Sequence, residues 1–251
     1  MMALGLLGFV AVGISLGMLG GGGSILAVPV LVHLLGLPAS EAVPMSLPVV
    51  GAAAAVGAWT RWRRGQLALR TAAIFAVGTM VASFAAARLG ADIPDRPRLL
   101  LFTGVMLVAA TLMWRRAARR ATPGTPVDAD AKASPVRLVI AALAVGTLTG
   151  LVGVGGGFLI VPALVGVLGL AMPEATATSL AVIALNTGAA SAGWWGRSTL
   201  DLRLTALVTV AALVGMAIGT RLAPRVSSAT LSRAFAGLLL LVGAFMLVQE
   251  L

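Results

Sequence analysis

The sequence contains no cysteine, a single histidine and few charged residues. The absence of cysteine excludes disulfides, thiolate metal sites and a cysteine nucleophile. Charged residues make up 10% of the 251 positions and hydrophobic residues 59%, with a mean hydropathy of +1.05. A soluble surface cannot be built from this composition. The composition therefore predicts an integral membrane protein with no cofactor, no metal site and none of the residue clusters that an enzyme needs.

Basic residues lie almost entirely between the hydrophobic stretches. The chain carries 18 lysine and arginine residues against 8 acidic ones, a formal net charge of +10. In a soluble domain this excess would suggest a nucleic-acid partner, but arginine-rich loops between apolar stretches are typical of the positive-inside rule. The charge pattern thus indicates a lipid bilayer and no nucleic acid. The first apolar stretch has no basic region before it and is longer than a signal-peptide core, so it is interpreted as the first membrane element.

The second half of the chain repeats the first with a constant shift of 133 positions. Chance similarity between apolar helices would match leucine, valine and alanine, whereas here glycine, proline, glutamate and arginine also coincide. The matches include Gly20 with Gly153, Gly23 with Gly156, Pro29 with Pro162, Glu41 with Glu174 and Ser46 with Ser179. The repeat predicts two transmembrane units, residues 1–116 and 136–251. The segment 117–135 between them, rich in proline, alanine and charge, is predicted to be a flexible cytoplasmic linker.

Two charge-free stretches, residues 1–40 and 138–173, are too long for one membrane crossing and too short for two. A continuous helix over residues 4–36 would be about 50 Å long, against a hydrocarbon core of roughly 30 Å. Glycines interrupt both stretches, at 20–23 and at 153–157. The interruption indicates either a re-entrant hairpin of two half-helices or one strongly tilted, broken crossing, and basic-residue totals barely separate the two.

Loops that the repeat matches differ in net charge, and the more basic loop lies in the first half for one pair and in the second half for the other. Residues 61–70 carry more arginine than the matching 194–203, whereas 88–98 carry acidic residues that the matching 221–233 lack. Inverted repeats explain this, because equivalent loops then face opposite compartments. The predicted fold is an all-α membrane protein of two inverted repeats, each with a glycine-interrupted first element and three transmembrane helices.

The glycine breaks predict an anion site. A helix that begins after "GGGGS", at Ile25, presents free backbone N–H groups and a positive dipole end beside the break, and "GVGGGFLIVP" repeats the arrangement. Close helix packing is the alternative role for such glycines. Nearby hydroxyls and one amide could add donors, although they could equally bond to helix carbonyls. The predicted substrate-binding residues are Gly20, Gly21, Gly22, Gly23, Ser24, Ser46, Gly153, Gly155, Gly156, Gly157, Thr178, Ser179 and Asn186.

Glu41 and Glu174 form the only acidic pair that the repeat matches. They lie at expected helix starts, so capping against the helix dipole competes with a role in proton coupling. Every basic side chain lies near the edge of an apolar stretch, so no buried lysine or arginine is expected to balance the anion. Backbone dipoles and hydroxyls would then carry recognition.

At these residues the chain resembles the TauE/SafE family of sulfite and organosulfonate exporters, which are small bacterial inner-membrane proteins. The resemblance lies in "GMLGGGGSILAVP", "GLVGVGGGFLIVP", "PEATATSLAVIALNT" and the basic loop between the halves, and it covers essentially the whole chain. It implies transport of sulfite or sulfonates across the cytoplasmic membrane, generally outward, along a route lined by the two glycine segments, Ser46, Thr178 and Ser179. The first half departs from the pattern, with "VPMS" where the second half has "ATATS".

The sequence therefore predicts a secondary transporter for a small sulfur-containing anion. The alternative is a passive anion channel or permease for another small oxyanion or carboxylate, which the same helix dipoles could serve. An intramembrane enzyme lacks any cluster of catalytic groups. Whether the protein forms a homodimer is left open.

Overall fold

The computed structural model describes residues 2–89, 95–120, 134–152, 157–194 and 201–250. These residues form helices and connecting turns, and no strand occurs among them, which confirms the predicted all-α class. The α-helices are α1 (Met2–Leu19), α2 (Ser24–Pro29), α3 (Ala39–Trp62), α4 (Leu69–Leu89), α5 (Asp95–Arg120), α6 (Pro135–Val152), α7 (Gly157–Gly166), α8 (Met172–Trp194), α9 (Leu202–Leu222) and α10 (Ser228–Glu250).

Four of these helical segments are long and apolar enough to cross a membrane, judged by length and composition over the described ranges. They are Met2–Leu19, Ser40–Trp62, Leu69–Ala86 and Leu202–Arg225. Large apolar side chains on their outer faces are exposed, for example Leu7, Phe84 and Val210, each more than half accessible. Such faces fit a hydrocarbon environment rather than water.

The first apolar stretch is interrupted at the glycines. Helix α1 ends at Leu19, and Gly20 adopts a φ of 76°, a backbone conformation that disfavours side chains other than glycine. A three-residue 3-10 turn, Gly21–Gly23, then leads into α2 at Ser24, one residue before the expected start. Proline at position 29 lacks the N–H that a regular helix needs, and the chain widens beyond it into a π-helical turn, Val30–Leu34.

The segment after the break runs back along α1. A Cβ placed on Gly23 would lie 2.6 Å from the backbone N of Leu16, and one on Gly8 would lie 2.9 Å from the Val30 side chain. Later residues of the segment thus contact earlier residues of α1, so the two run antiparallel.

Helix bounds in the second half follow those of the first by the same 133 residues. Helices α8, α9 and α10 begin 133 residues after α3, α4 and α5 respectively. The positive φ of Gly36, 72°, recurs at Gly169, 75°. Helix α5 continues to Arg120, past the predicted unit boundary at 116, and residues 121–133 of the predicted linker lie outside the described residues.

Each half contributes a glycine-bearing helix that packs against the other half. Gly13 and Gly17 of α1 meet Gly215 and Gly219 of α9, where added Cβ atoms would overlap the facing backbone. The positions increase together along both helices, so α1 and α9 run parallel. This is the small-residue packing by which membrane helices approach closely.

Helices α6 and α4 make the corresponding contact. A Cβ on Gly146 would lie 2.7 Å from the carbonyl oxygen of Thr79, and one on Gly150 would overlap the carbonyl oxygen of Ser83. These helices also run parallel. Parallel glycine-lined contacts thus join the two halves at α1 with α9 and at α4 with α6.

Helices α3 and α8 pack against each other in opposite directions. A Cβ on Gly51 would lie 2.7 Å from Thr187 Oγ1, whereas one on Gly57 would lie 3.0 Å from the Leu180 side chain. A later residue of α3 therefore faces an earlier residue of α8. The two helices occupy matching places in the two halves and are antiparallel.

Candidate functional site

The beginnings of α2 and α7 meet. A Cβ on Gly21 would overlap the carbonyl oxygen of Gly157, and a Cβ on Gly157 would lie 2.8 Å from Ser24 Oγ. Only glycine allows the two backbones to come this close. Gly153, Gly155 and Gly156 lie outside the described residues. The structure thus brings together the predicted residues Gly21, Ser24 and Gly157.

The break also contacts the first turns of α8. A Cβ on Gly20 would lie 2.5 Å from Ser179 Oγ and 3.0 Å from Thr176 Cγ2. Gly22 faces the ring of Phe235 in α10, and all four glycines of the first break are buried. The described part of the site is therefore closely packed, with α8 beside it on one side and α10 on another.

Three of the predicted hydroxyl groups donate to carbonyls of their own segment. Ser24 Oγ donates to the Gly21 carbonyl at 2.7 Å, Ser46 Oγ to Val43 at 2.7 Å and Ser179 Oγ to Thr176 at 2.9 Å. This is the alternative role that helix hydroxyls often take. In this conformation the three hydroxyls can accept hydrogen bonds but have no proton free for an anion, and their binding role stays a prediction.

Thr178 differs from these serines. Its side chain is fully buried, and within the described part of the chain its Oγ1 has no hydrogen-bond partner. Its neighbour Thr176 is equally buried but donates to the Met172 carbonyl at 2.7 Å. A buried hydroxyl without a partner costs about 1–3 kcal/mol. Among the predicted site residues, Thr178 thus has a donor that nothing in the described protein uses.

Asn186 is engaged with the other half of the chain. Its Nδ2 donates to Thr79 Oγ1 of α4 at 3.0 Å. Thr79 is buried and its hydroxyl lies 2.9 Å from the carbonyls of Phe75 and Ala76. The amide of Asn186 thus links α8 to α4, and a substrate-binding role for Asn186 stays a prediction.

Glu41 and Glu174 occupy the first turns of α3 and α8, and both side chains are exposed. A carboxylate in the first turn interacts favourably with the positive end of the helix dipole. Their position fits the capping interpretation, and proton coupling through them stays a prediction.

Arg61 contradicts the expectation that no basic side chain is buried. It lies at the end of α3 with 4% of its surface accessible, and its Nη2 donates to the Gly17 carbonyl in the last turn of α1 at 2.6 Å. The expectation was wrong because burial here comes from α1 and α9, which pack over the end of α3. The only signal in the sequence is that the repeat fails at this position, since residue 194 is tryptophan.

Comparisons with known proteins identify the family to which the chain belongs. The model of the family described as "Sulfite exporter TauE/SafE" matches residues 4–246. A protein of Xylella fastidiosa strain 9a5c named "Probable membrane transporter protein" is 32% identical over 245 residues, which cover 94% of this chain and 91% of that protein. "Probable membrane transporter protein YdhB" of Bacillus subtilis is 28% identical, covering 91% of this chain and 96% of its own.

Those names describe transport and not catalysis. No solved structure matches the chain. The family match spans nearly the whole sequence and confirms the resemblance seen in the glycine segments. The chain belongs to the TauE/SafE sulfite exporter family and is accordingly a transmembrane transporter.

Proposed function

We propose that the protein is a secondary transporter that exports sulfite or a small organosulfonate across the bacterial cytoplasmic membrane. The family description names sulfite export, and the relatives are named probable membrane transporters. The observation that carries the proposal is the contact between the beginnings of α2 and α7 at Gly21, Ser24 and Gly157.

The transporter is built from two inverted repeats. Three observations support this: the helix bounds shift by 133 residues, the matching helices α3 and α8 run antiparallel, and the segment after the first break returns along α1. A returning hairpin followed by three crossings places the second half upside down relative to the first. In this topology the arginine-rich turn after α3, the linker and the turn after α9 share the cytoplasmic side, as the positive-inside rule favours.

The anion binds where the two half-helices begin. Both helix dipoles direct their positive ends to this point, and each contributes about 0.3–1 kcal/mol, up to about 2 kcal/mol when partly buried. The unpartnered hydroxyl of Thr178 supplies a neutral donor. Binding by dipoles and a hydroxyl is weak enough to be reversible, as transport requires.

Close packing around the break favours a transporter over an open channel. Gly20, Gly21, Gly22 and Gly23 are buried, and a passage through them needs a change of conformation. Flux of labelled sulfite and sulfoacetate into proteoliposomes tests the function. We expect saturable flux of at least one of these anions. Absence of flux for any sulfur oxyanion would refute the proposal, and conductance far above transporter turnover would establish a channel.

The two exposed glutamates permit a test of proton coupling. We expect Glu41→Gln and Glu174→Gln to retain the pH dependence of anion flux, because carboxylates in exposed first turns act on helix stability by only about 0.3–1 kcal/mol. Flux is measured in proteoliposomes across a range of external pH, with the wild type in parallel. Loss of the pH dependence in either variant would assign proton transfer to that carboxylate.

A further inference from the structure

A buried arginine lies beside the first helix break. Arg61 belongs to the apolar segment Ser40–Trp62 and has 4% of its surface accessible. Within the described ranges no carboxylate pairs with it. A buried cation without a counter-ion carries a large desolvation cost, and ionisable groups inside membrane segments are commonly functional.

Within the described ranges, the Nε donor of the Arg61 guanidinium is unused. A guanidinium has five N–H donors, and Nη2 donates to the Gly17 carbonyl at 2.6 Å, while Nε is buried with no partner in the described part of the chain. Capping the last turn of α1 uses only one of these donors. An oxyanion with two free oxygens could accept from Nε and a terminal nitrogen together.

The surroundings of Arg61 add a second positive charge. Arg64, one turn further along the chain, donates from Nη1 to the Thr220 carbonyl at the end of α9, at 3.3 Å. Gly17 is three residues before the break at Gly20, and Arg61 lies about 15 Å along α3 from Gly51, where α3 packs against α8. In the proposed topology α1 and α3 both run towards the cytoplasm, and the break faces Thr176 and Ser179 at the start of α8. Arg61 therefore lies beside the meeting point of the half-helices, near the cytoplasmic end of α3.

We propose that Arg61 forms a second anion site beside the break, at the cytoplasmic end of α3, at which the substrate oxyanion replaces the Gly17 carbonyl. This inference rests on the proposed function. The site takes a small oxyanion with two oxygens available to one guanidinium, such as sulfite or a sulfonate. In the present conformation the site is closed, because the guanidinium is bonded to α1. Separation of α1 from the end of α3 frees it for the anion arriving from the cytoplasm.

Sided membrane vesicles test this site. Everted vesicles present the cytoplasmic face to labelled sulfoacetate or sulfite, and right-side-out vesicles present the opposite face. We expect Arg61→Gln to raise KM at the cytoplasmic face about 10- to 100-fold, the loss expected for a charge-assisted, two-point contact. At the opposite face we expect an unchanged KM and a lower maximal rate. The equilibrium distribution of the substrate fixes the ratio of maximal rate to KM in one direction relative to the other, so a loss at one face must appear at both.

Arg63→Gln is the matched control, since it removes the same charge from an exposed position two residues away. We expect its KM to stay within about threefold of the wild-type value. Arg61→Lys keeps the positive charge but loses the two parallel N–H donors of the guanidinium. This variant replaces Arg61→Gln in the test if Arg61→Gln does not fold. We expect an intermediate rise in its KM.

A purely structural cap would lower thermal stability and maximal rate at both faces while leaving KM unchanged. That result, in both Arg61 variants, overturns the second site while the proposed function stands. The second site is also overturned if the Arg61 variants change only the dependence of flux on anionic lipid and leave the affinity for sulfoacetate and sulfite unchanged. Absence of flux in wild-type vesicles overturns the proposed function and the second site together.

Discussion

The unused hydroxyl of Thr178 leads to a prediction in which stability and binding change in opposite directions. Thr178→Val replaces the buried hydroxyl by a methyl group of similar size. Oγ1 has no partner within the described residues, so burying this hydroxyl costs about 1–3 kcal/mol that no hydrogen bond offsets. The substitution removes this cost. We therefore expect the anion-free protein to become more stable by about this amount.

The same substitution should weaken binding of the anion. A hydrogen bond to a charged group contributes about 1.5–3 kcal/mol, which corresponds to roughly a 10- to 100-fold increase in Kd for sulfite. Stabilisation by ligand follows from the affinity and reaches about 2.7 kcal/mol at 100 times Kd. At a fixed sulfite concentration, the variant should gain much less stability from the anion than the wild type does.

Thr176→Val is the matched control on the same helix. Thr176 is equally buried, but its hydroxyl donates to the Met172 carbonyl, so we expect a loss of stability of about 0.5–1.5 kcal/mol and a smaller effect on sulfite binding than that of Thr178→Val. Thermal unfolding of the detergent-solubilised proteins, with and without sulfite, and calorimetric titration measure both quantities. If Thr178→Val destabilises the protein as Thr176→Val does and binds sulfite normally, the reasoning is refuted.

Two further predictions concern packing and topology. Gly21→Ala should destabilise the protein by about 1–3 kcal/mol or more and abolish flux, because the new Cβ overlaps the backbone of the facing half-helix. Gly166→Ala, with open space around it, should change unfolding and flux little, and equal effects of the two substitutions would contradict the close approach. Single cysteines at Gln66 and Thr199, introduced into this cysteine-free chain, should react with impermeant reagents from opposite sides of the membrane. Labelling of both from one side would contradict inversion of the repeats.

The positions of the helices could be predicted from the sequence because they depend on local signals. Four glycines end α1 at Leu19, and the repeat places the helices of the second half once those of the first are known. The start of α2 differs from expectation by one residue because Ser24 bonds back to Gly21 and joins the helix.

The partners of helices and side chains could not be predicted in this way. Spaced glycines on α1 indicate close packing, yet nothing in their spacing indicates that the partner is α9. Arg61 lies near the end of an apolar stretch and between tryptophans, so its sequence context resembles that of an interfacial anchor. Its burial depends on contacts with helices that are distant in the sequence, and local sequence patterns do not predict such contacts.

The pairing of α1 with α9 also affects how the protein is made. Helix α1 is synthesised first, and its glycine-lined face meets α9 only after about 200 more residues have been added. At about 5–20 residues per second, this interval is about 10–40 s. During that time the first helix resides in the membrane without its final neighbour, whereas α4 and α6 are produced in quick succession. Assembly of the two halves is therefore completed only near the end of translation, and in a chain truncated before α9 the glycine-lined face of α1 lacks this partner.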